Sequence, residues 1–259
     1  MNGTKWDVQF AIGFPIAGRL IQSRDFPLGE SITADFVGPS TLFEPNTARF
    51  RARAPRAVSK HAETLWAEAL QQVMGGWLAP PEAFNAEGGF AASPQDPCNL
   101  AFRFGVSRTD KLRGCGDLCD SLANTACTIR TPITLHGWGH IAAASRILAE
   151  NRCPWLFGKV DHRSAWKAAP ICMGDARFDV IALWNPADAA WYGFRARPLL
   201  FGPNAPALRN NCLSRIIDSV LCRLLVIPTF GYFDDFGFFT RSADERETME
   251  ALTKLLTLI

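Results

Sequence analysis

The stretch Phe230-Gly231-Tyr232-Phe233-Asp234-Asp235-Phe236-Gly237-Phe238-Phe239 sets two adjacent carboxylates inside a run of aromatic side chains. The residues before it, Leu224 to Phe230, read as a buried strand, and Gly237 to Thr240 as a second strand turning back. The acidic pair is therefore expected at or near a hairpin turn. Aspartate is depleted from strands, and two like charges beside apolar surface cost free energy unless something positive binds there. A solvated turn is one reading of the pair, since Asp is a common turn residue. A divalent cation is the other.

A third carboxylate weighs on that choice. Trp155-Leu156-Phe157-Gly158-Lys159-Val160 is another short apolar run, and it delivers Asp161 at its end. Two strands that each end in Asp, paired side by side, bring three carboxylates together. Hard cations prefer oxygen ligands, and such a cluster suits two magnesium ions roughly 3.5–4 Å apart.

The segment from Lys159 to Ile171, with Asp161 followed by Ser164-Ala165-Trp166 and then Pro170-Ile171, resembles the first catalytic block of reverse transcriptases. Leu199-Leu200-Phe201-Gly202 resembles the Leu-Pro-Phe-Gly block of that family, and Tyr232-Phe233-Asp234-Asp235 its Tyr-x-Asp-Asp box, in the family's order. The likeness is to the polymerase region of retrotransposons. It implies an α+β fold of the right-hand polymerase type, fingers and palm, with an antiparallel palm sheet and helices packed on one face. It also implies RNA-directed DNA synthesis. Asp161, Asp234 and Asp235 would be the catalytic metal ligands for Mg²⁺ or Mn²⁺, and a primed RNA or DNA template with deoxynucleoside triphosphates would be the partners.

The resemblance assigns further residues. Leu100 to Val106 alternates like a strand, a turn follows over Ser107-Arg108-Thr109-Asp110, and Lys111, Arg113, Asp117 and Asn124 match the spacing of the fingers hairpin. Lys111 and Arg113 would then bind the triphosphate, with Asp117 orienting the strand. Trp166 stands where the family keeps an aromatic under the nucleotide sugar, and Phe201 and Gly202 complete the nucleotide-binding set. Two positions depart from the pattern: Leu200 replaces the usual Pro, and Asn210 lies where an aromatic is typical. A second function, a catalytically inactive nucleic-acid-binding remnant of a retroelement polymerase, therefore stays open.

Outside these blocks the chain is less specific. Its 259 residues, 48% of them hydrophobic, can bury a substantial core. A net charge of +2 makes no global electrostatic case for nucleic acid. The local cluster Arg49, Arg51, Arg53, Arg56 and Lys60 reads either as a solvated face or as a phosphate-contacting edge. Eight cysteines without a tight framework, and no charged-then-apolar leader, read as intracellular thiols, with nucleus and cytoplasm unresolved. Apolar runs broken by Asp7, Arg19 and Arg223 exclude a spanning helix, so no membrane partner is expected.

Helical spacing marks an amphipathic helix over about Ser59 to Met74, one from Pro203 through about Leu224, and one from Asp244 to Ile259. Phe10 to Ile16 reads as a short buried segment. Asp175, Asp179 and Asp188 read as turn or edge residues. Cys115-x3-Cys119 followed by His136-x3-His140 has the pair spacings of a zinc site, but the residues between exceed the usual dozen or so and include an extended segment. His136-Gly-Trp-Gly-His140 is better read as the cap of a following helix. The proline-rich stretch after Ala79 suggests a boundary between an N-terminal extension, 1–90, and a fingers and palm region, 91–259. The family continues past the last helix through a thumb, so the expectation here is a palm with the thumb absent.

Overall fold

The computed structural model describes residues 14, 18–19, 38–84, 97–108, 111–117, 120–128, 133, 135–150, 153–163, 165–200 and 204–258. The protein is a mixed α+β chain. It divides into two compact units, one of residues 1–131 with 169–207 and one of 132–168 with 208–259. The boundary expected near residue 90 falls among residues 85–96, outside the described residues.

The first unit is built on strands β1 (Leu100–Arg108) and β2 (Lys111–Gly116), β4 (Val180–Asn185) and β5 (Ala190–Arg195), and helices α1 (Phe43–Arg53) and α2 (Ala62–Met74). Its sheet runs in the order Glu82–Ala83, β5, β4, β1, β2. It is mixed, because β1 pairs in parallel with β4 while the other neighbours are antiparallel. Burying apolar faces drives the assembly: Phe50, Cys98, Leu100, Phe102, Val180 and Ala182 form one core cluster with Trp191 packed against it. Phe50 stacks on Phe102 at 4.8 Å between ring centroids. The expected helix over Ser59–Met74 is α2, whose Leu65 and Ala69 are buried.

α1 is tied to β1 by a polar residue. Buried Asn46 accepts the Leu100 N–H at 2.7 Å and donates to the carbonyls of Leu100 at 3.0 Å and Ser121 at 2.9 Å. Phe14, the one described member of the expected Phe10–Ile16 segment, is buried and exchanges backbone hydrogen bonds with Pro170 and Cys172.

The second unit holds β3 (Trp155–Asp161), β6 (Thr229–Tyr232), β7 (Asp235–Arg241) and the helices α3 (Trp138–Ala149) and α5 (Glu245–Leu258), together with most of α4 (Asn204–Arg223). Its sheet is wholly antiparallel, in the order β3, β7, β6. Phe236, Phe238, Leu213, Ile217, Leu221 and Leu252 are buried. α4 also carries a row of buried polar residues at four-residue spacing, Asn210, Ser214 and Asp218. The apolar stripe expected of this helix is thus only half of its buried surface.

Two expectations are corrected. Leu224 to Pro228 is not strand: β6 begins at Thr229, and Leu224 and Val226 are 73% and 79% exposed. The stretch terminates α4 instead. The N–H groups of Leu224 and Leu225 close on the Val220 carbonyl and that of Ile227 on the Leu221 carbonyl, with Val226 left-handed at φ 56°. Asp179, read as a turn or edge residue, does close a turn, its N–H donating to the Ala176 carbonyl at 3.4 Å, but it lies buried and not at an edge. It is 2% exposed, neither carboxyl oxygen has a hydrogen-bond partner, and burial pushes its pKa up from 3.8 to about 7.

Candidate functional site

The acidic pair lies at a hairpin turn. Tyr232 and Asp235 are register partners that close a two-residue connection, Phe233-Asp234, between β6 and β7. Phe233 takes φ 55°, a left-handed conformation that a bulky residue adopts only under restraint, at about 1–3 kcal/mol. The restraint is visible. The Ser214 hydroxyl on α4 donates to the Phe233 carbonyl, and the His162 N–H donates to the Asp234 carbonyl at 2.8 Å. The Phe233 ring sits 5.7 Å from that of Tyr232 and 6.2 Å from that of Trp166.

Register brings in the third acid. Asp161, the last residue of β3, is the partner of Asp235 on β7. Asp161 is exposed, while Asp234 and Asp235 are half-buried. Burial pushes the Asp234 carboxyl above the ordinary aspartate range, and repulsion from Asp161 and Asp235 pushes it the same way. Lys159 answers the charge: its Nζ lies 2.9 Å from Asp235 Oδ1. His162, buried beside Asp161, has its pKa lowered chiefly by desolvation. The charges are therefore unbalanced toward the negative, in a place where the backbone is held.

The donor set is one a hard divalent cation accepts, since all three acids offer only oxygen. Among the described residues, however, no three His, Cys, Asp or Glu side chains are grouped so as to hold a metal ion. The Asp235 carboxylate is instead engaged by Lys159. The acids thus fit the cation by chemistry and backbone register, and their side chains would have to turn toward it.

Of the other expected residues, Trp166 lies in a single turn of helix, Ala165–Ala168, in the same unit as the acids and near Phe233. Lys111 and Arg113 belong to β2 in the first unit, with the Arg113 side chain exposed and the Lys111 side chain outside the described residues. Phe201 and Gly202 also lie outside them. Asp117 is spent locally: it pairs with Arg53 at 3.0 Å and accepts the Asp120 N–H at 3.2 Å. Arg53 also pairs with Asp120 at 2.6 Å, so one member of the basic cluster is neutralised by its own unit.

Cys119 of the zinc pattern lies outside the described residues. Both histidines accept backbone hydrogens, His140 Nδ1 from Gly137 at the start of α3 and His136 Nδ1 from Gly231 on β6, each at 3.1 Å. His136 Nε2 is also 2.8 Å from Arg215, whose guanidinium reaches Asp218 at 3.3 Å. Asp218 Oδ1 accepts the Thr229 hydroxyl at 2.7 Å. The Gly231 and Thr229 bonds fasten β6 to His136 and to Asp218 of α4. Sequence reasoning missed this network, as it missed Lys159 and Ser214. Lys159 alone left a signal, its place two residues before Asp161 and so on the same face of a strand.

No family model matches the sequence, and no curated protein matches it. In structure the chain is similar to a foamy viral protease-reverse transcriptase dRH solved in complex with ds DNA, at 14% identity and a TM-score of 0.48. The match covers 77% of this chain and 29% of that one, so the chain spans less than a third of its neighbour's length. Among the described residues no helix is long and apolar enough to cross a membrane.

Proposed function

We propose that the chain is an RNA-directed DNA polymerase that transfers nucleotides with the help of two divalent ions, Mg²⁺ or Mn²⁺, held by Asp161, Asp234 and Asp235. The observation that carries the reading is the register pairing of Asp161 with Asp235, with Asp234 in the adjoining restrained turn. Bound metal would lower the pKa of a primer 3′-hydroxyl and steady the charge on the leaving group. In the reaction the 3′-hydroxyl gives up its proton to water, its oxygen bonds to the α-phosphorus of the incoming nucleotide, the bond to the bridging oxygen breaks, and pyrophosphate leaves.

The chain's own residues supply position. Ser214 and His162 fix the backbone of the acidic turn, so only the carboxylate side chains have to turn toward the cation. Trp166, in the same unit as the acids, is the residue that sequence resemblance assigns to the nucleotide sugar. Lys111, Arg113, Phe201 and Gly202 are assigned to the nucleotide by sequence resemblance alone.

The test is primer extension by the purified chain on an RNA template with Mg²⁺, beside an Asp234→Asn/Asp235→Asn control. Extension that vanishes in the control is the expected result. Folded protein that binds primer-template without extending it would overturn polymerase activity and favour the second reading, a non-catalytic nucleic-acid-binding protein. The engagement of Asp235 by Lys159 is the observation on that side.

A further inference from the structure

Side chains alternate along a strand, so Lys159 and Asp161 project from the same face of β3. Across the ladder Asp161 meets Asp235, and Lys159 meets Gly237. Gly237 presents no side chain opposite the lysine. The long stem is free to lean along the strand to the diagonal neighbour, which puts Nζ 2.9 Å from Asp235 Oδ1. A flexible ammonium thus reaches one oxygen of the acidic group from inside the same sheet.

From this geometry we infer that Lys159 is a built-in competitor for the divalent cation at Asp161, Asp234 and Asp235, and that it sets the metal concentration at which those carboxylates fill. The inference rests on the polymerase reading and deepens it. An ammonium and a divalent ion held by one carboxylate repel each other, so metal bound at Asp235 weakens the lysine pair. The coupling is reciprocal: Lys159 weakens metal binding by the factor by which metal weakens the Lys159 pair. Because the lysine side chain is 62% exposed, the competing pair is a surface pair of small net strength. Lys159 therefore tunes the site and does not close it.

Mn²⁺ titration of the full chain, followed by the electron paramagnetic resonance of the free ion, tests this. Lys159→Gln should bind Mn²⁺ about three- to fivefold more tightly than the unsubstituted chain, the span a surface ion pair allows. Lys159→Arg, which keeps the charge, should stay near the unsubstituted value. The gain should shrink as salt is raised from about 0.05 M to about 0.5 M, because exposed charges are screened. Equal affinity of the unsubstituted chain and Lys159→Gln, with Mn²⁺ lost in Asp234→Asn/Asp235→Asn, would overturn the inference and leave the polymerase reading standing. Mn²⁺ binding that survives the double substitution, or that no variant shows, would overturn both.

Discussion

Asp161 and Asp235 face each other as register partners across the antiparallel ladder of β3 and β7, although 74 positions apart in sequence (235 − 161). Like charges directly opposite on a sheet are destabilising. The sheet tolerates them with Lys159 beside Asp235, and the strain falls on Asp234, whose carboxyl is raised by burial and then by its two acidic neighbours.

That ordering of causes gives a prediction. Removing the Asp161 charge in Asp161→Asn favours the ionised form of Asp234, so the Asp234 pKa falls. It should not return fully to the ordinary range, because desolvation, the larger cause, remains. Carbon-detected NMR titration of side-chain carboxyls in chelator-treated protein reads the shift. An unchanged Asp234 titration would mean the two carboxylates do not sense each other.

Much of this site is legible in the sequence, for a physical reason. Apolar runs ending in Asp161 and beginning after Asp235 specify strands, and a single pairing that buries Phe236 and Phe238 also aligns the acids. Alternation likewise locates β1, the hairpin resemblance β2, and helical spacing α2 and α5. What escapes depends on partners far away in the chain. Leu224 and Val226 look like strand by composition, but the left-handed turn at Val226 belongs to the helix end before it. Ser214 is bound to the Phe233 carbonyl and Asn46 to the Leu100 backbone, pairings that no local pattern encodes.

The β3–β7 ladder should be intolerant of small side chains at its glycines. Gly158 is the register partner of Phe238, and a Cβ added there would collide with the Phe238 ring. At Gly237 the added atom would stand 2.9 Å from Phe157 Cζ. Buried Phe238 has little freedom to move, whereas Phe157 is 48% exposed and can swing out. Gly158→Ala should therefore destabilise by about 1–3 kcal/mol, and Gly237→Ala by less. Chemical denaturation of the two variants checks the order, and a reversed order would refute the packing argument.

Asn46 should be among the most costly polar positions in the first unit. Truncation in Asn46→Ala leaves the Leu100 N–H and the Leu100 and Ser121 carbonyls without their partner in a buried setting. Unsatisfied buried groups cost about 1–3 kcal/mol each, so a loss of about 3 kcal/mol is expected after partial relaxation. A lowered denaturation midpoint with an unchanged slope would show a cooperative loss, and a loss under about 1 kcal/mol would mean that water replaces the amide.

His136 links pH to the strand that carries the acidic turn. Its pKa is lowered chiefly by desolvation, so on acidification the unfolded chain takes up a proton near pH 6.5 before the folded chain does. Stability is then lost as pH falls below about 6.5. Protonation of Nδ1 would also end its acceptance of the Gly231 N–H. His136→Ala should lower stability at pH 8, by leaving buried Gly231 unpartnered, and flatten the slope below pH 6.5. Denaturation midpoints across that range decide it, and parallel slopes in the two proteins would rule out His136 as the titrating group.

Asp179 should give the opposite slope in the first unit. A carboxyl with both oxygens unpartnered and a pKa near 7 stays protonated in the folded chain while the unfolded chain ionises near 3.8. Between those values the unfolded state binds fewer protons, so stability falls as pH rises from about 4 to about 7, by at most about 4 kcal/mol. Asp179→Asn keeps the shape and cannot ionise. It should match the parent chain near pH 4 and exceed it in stability at pH 8, with a flatter profile between. Guanidinium unfolding at pH 4, 6 and 8 measures the difference directly. If Asp179→Asn is less stable at pH 8, the ionised carboxylate has a favourable partner when folded, and its burial is not the dominant influence on its charge.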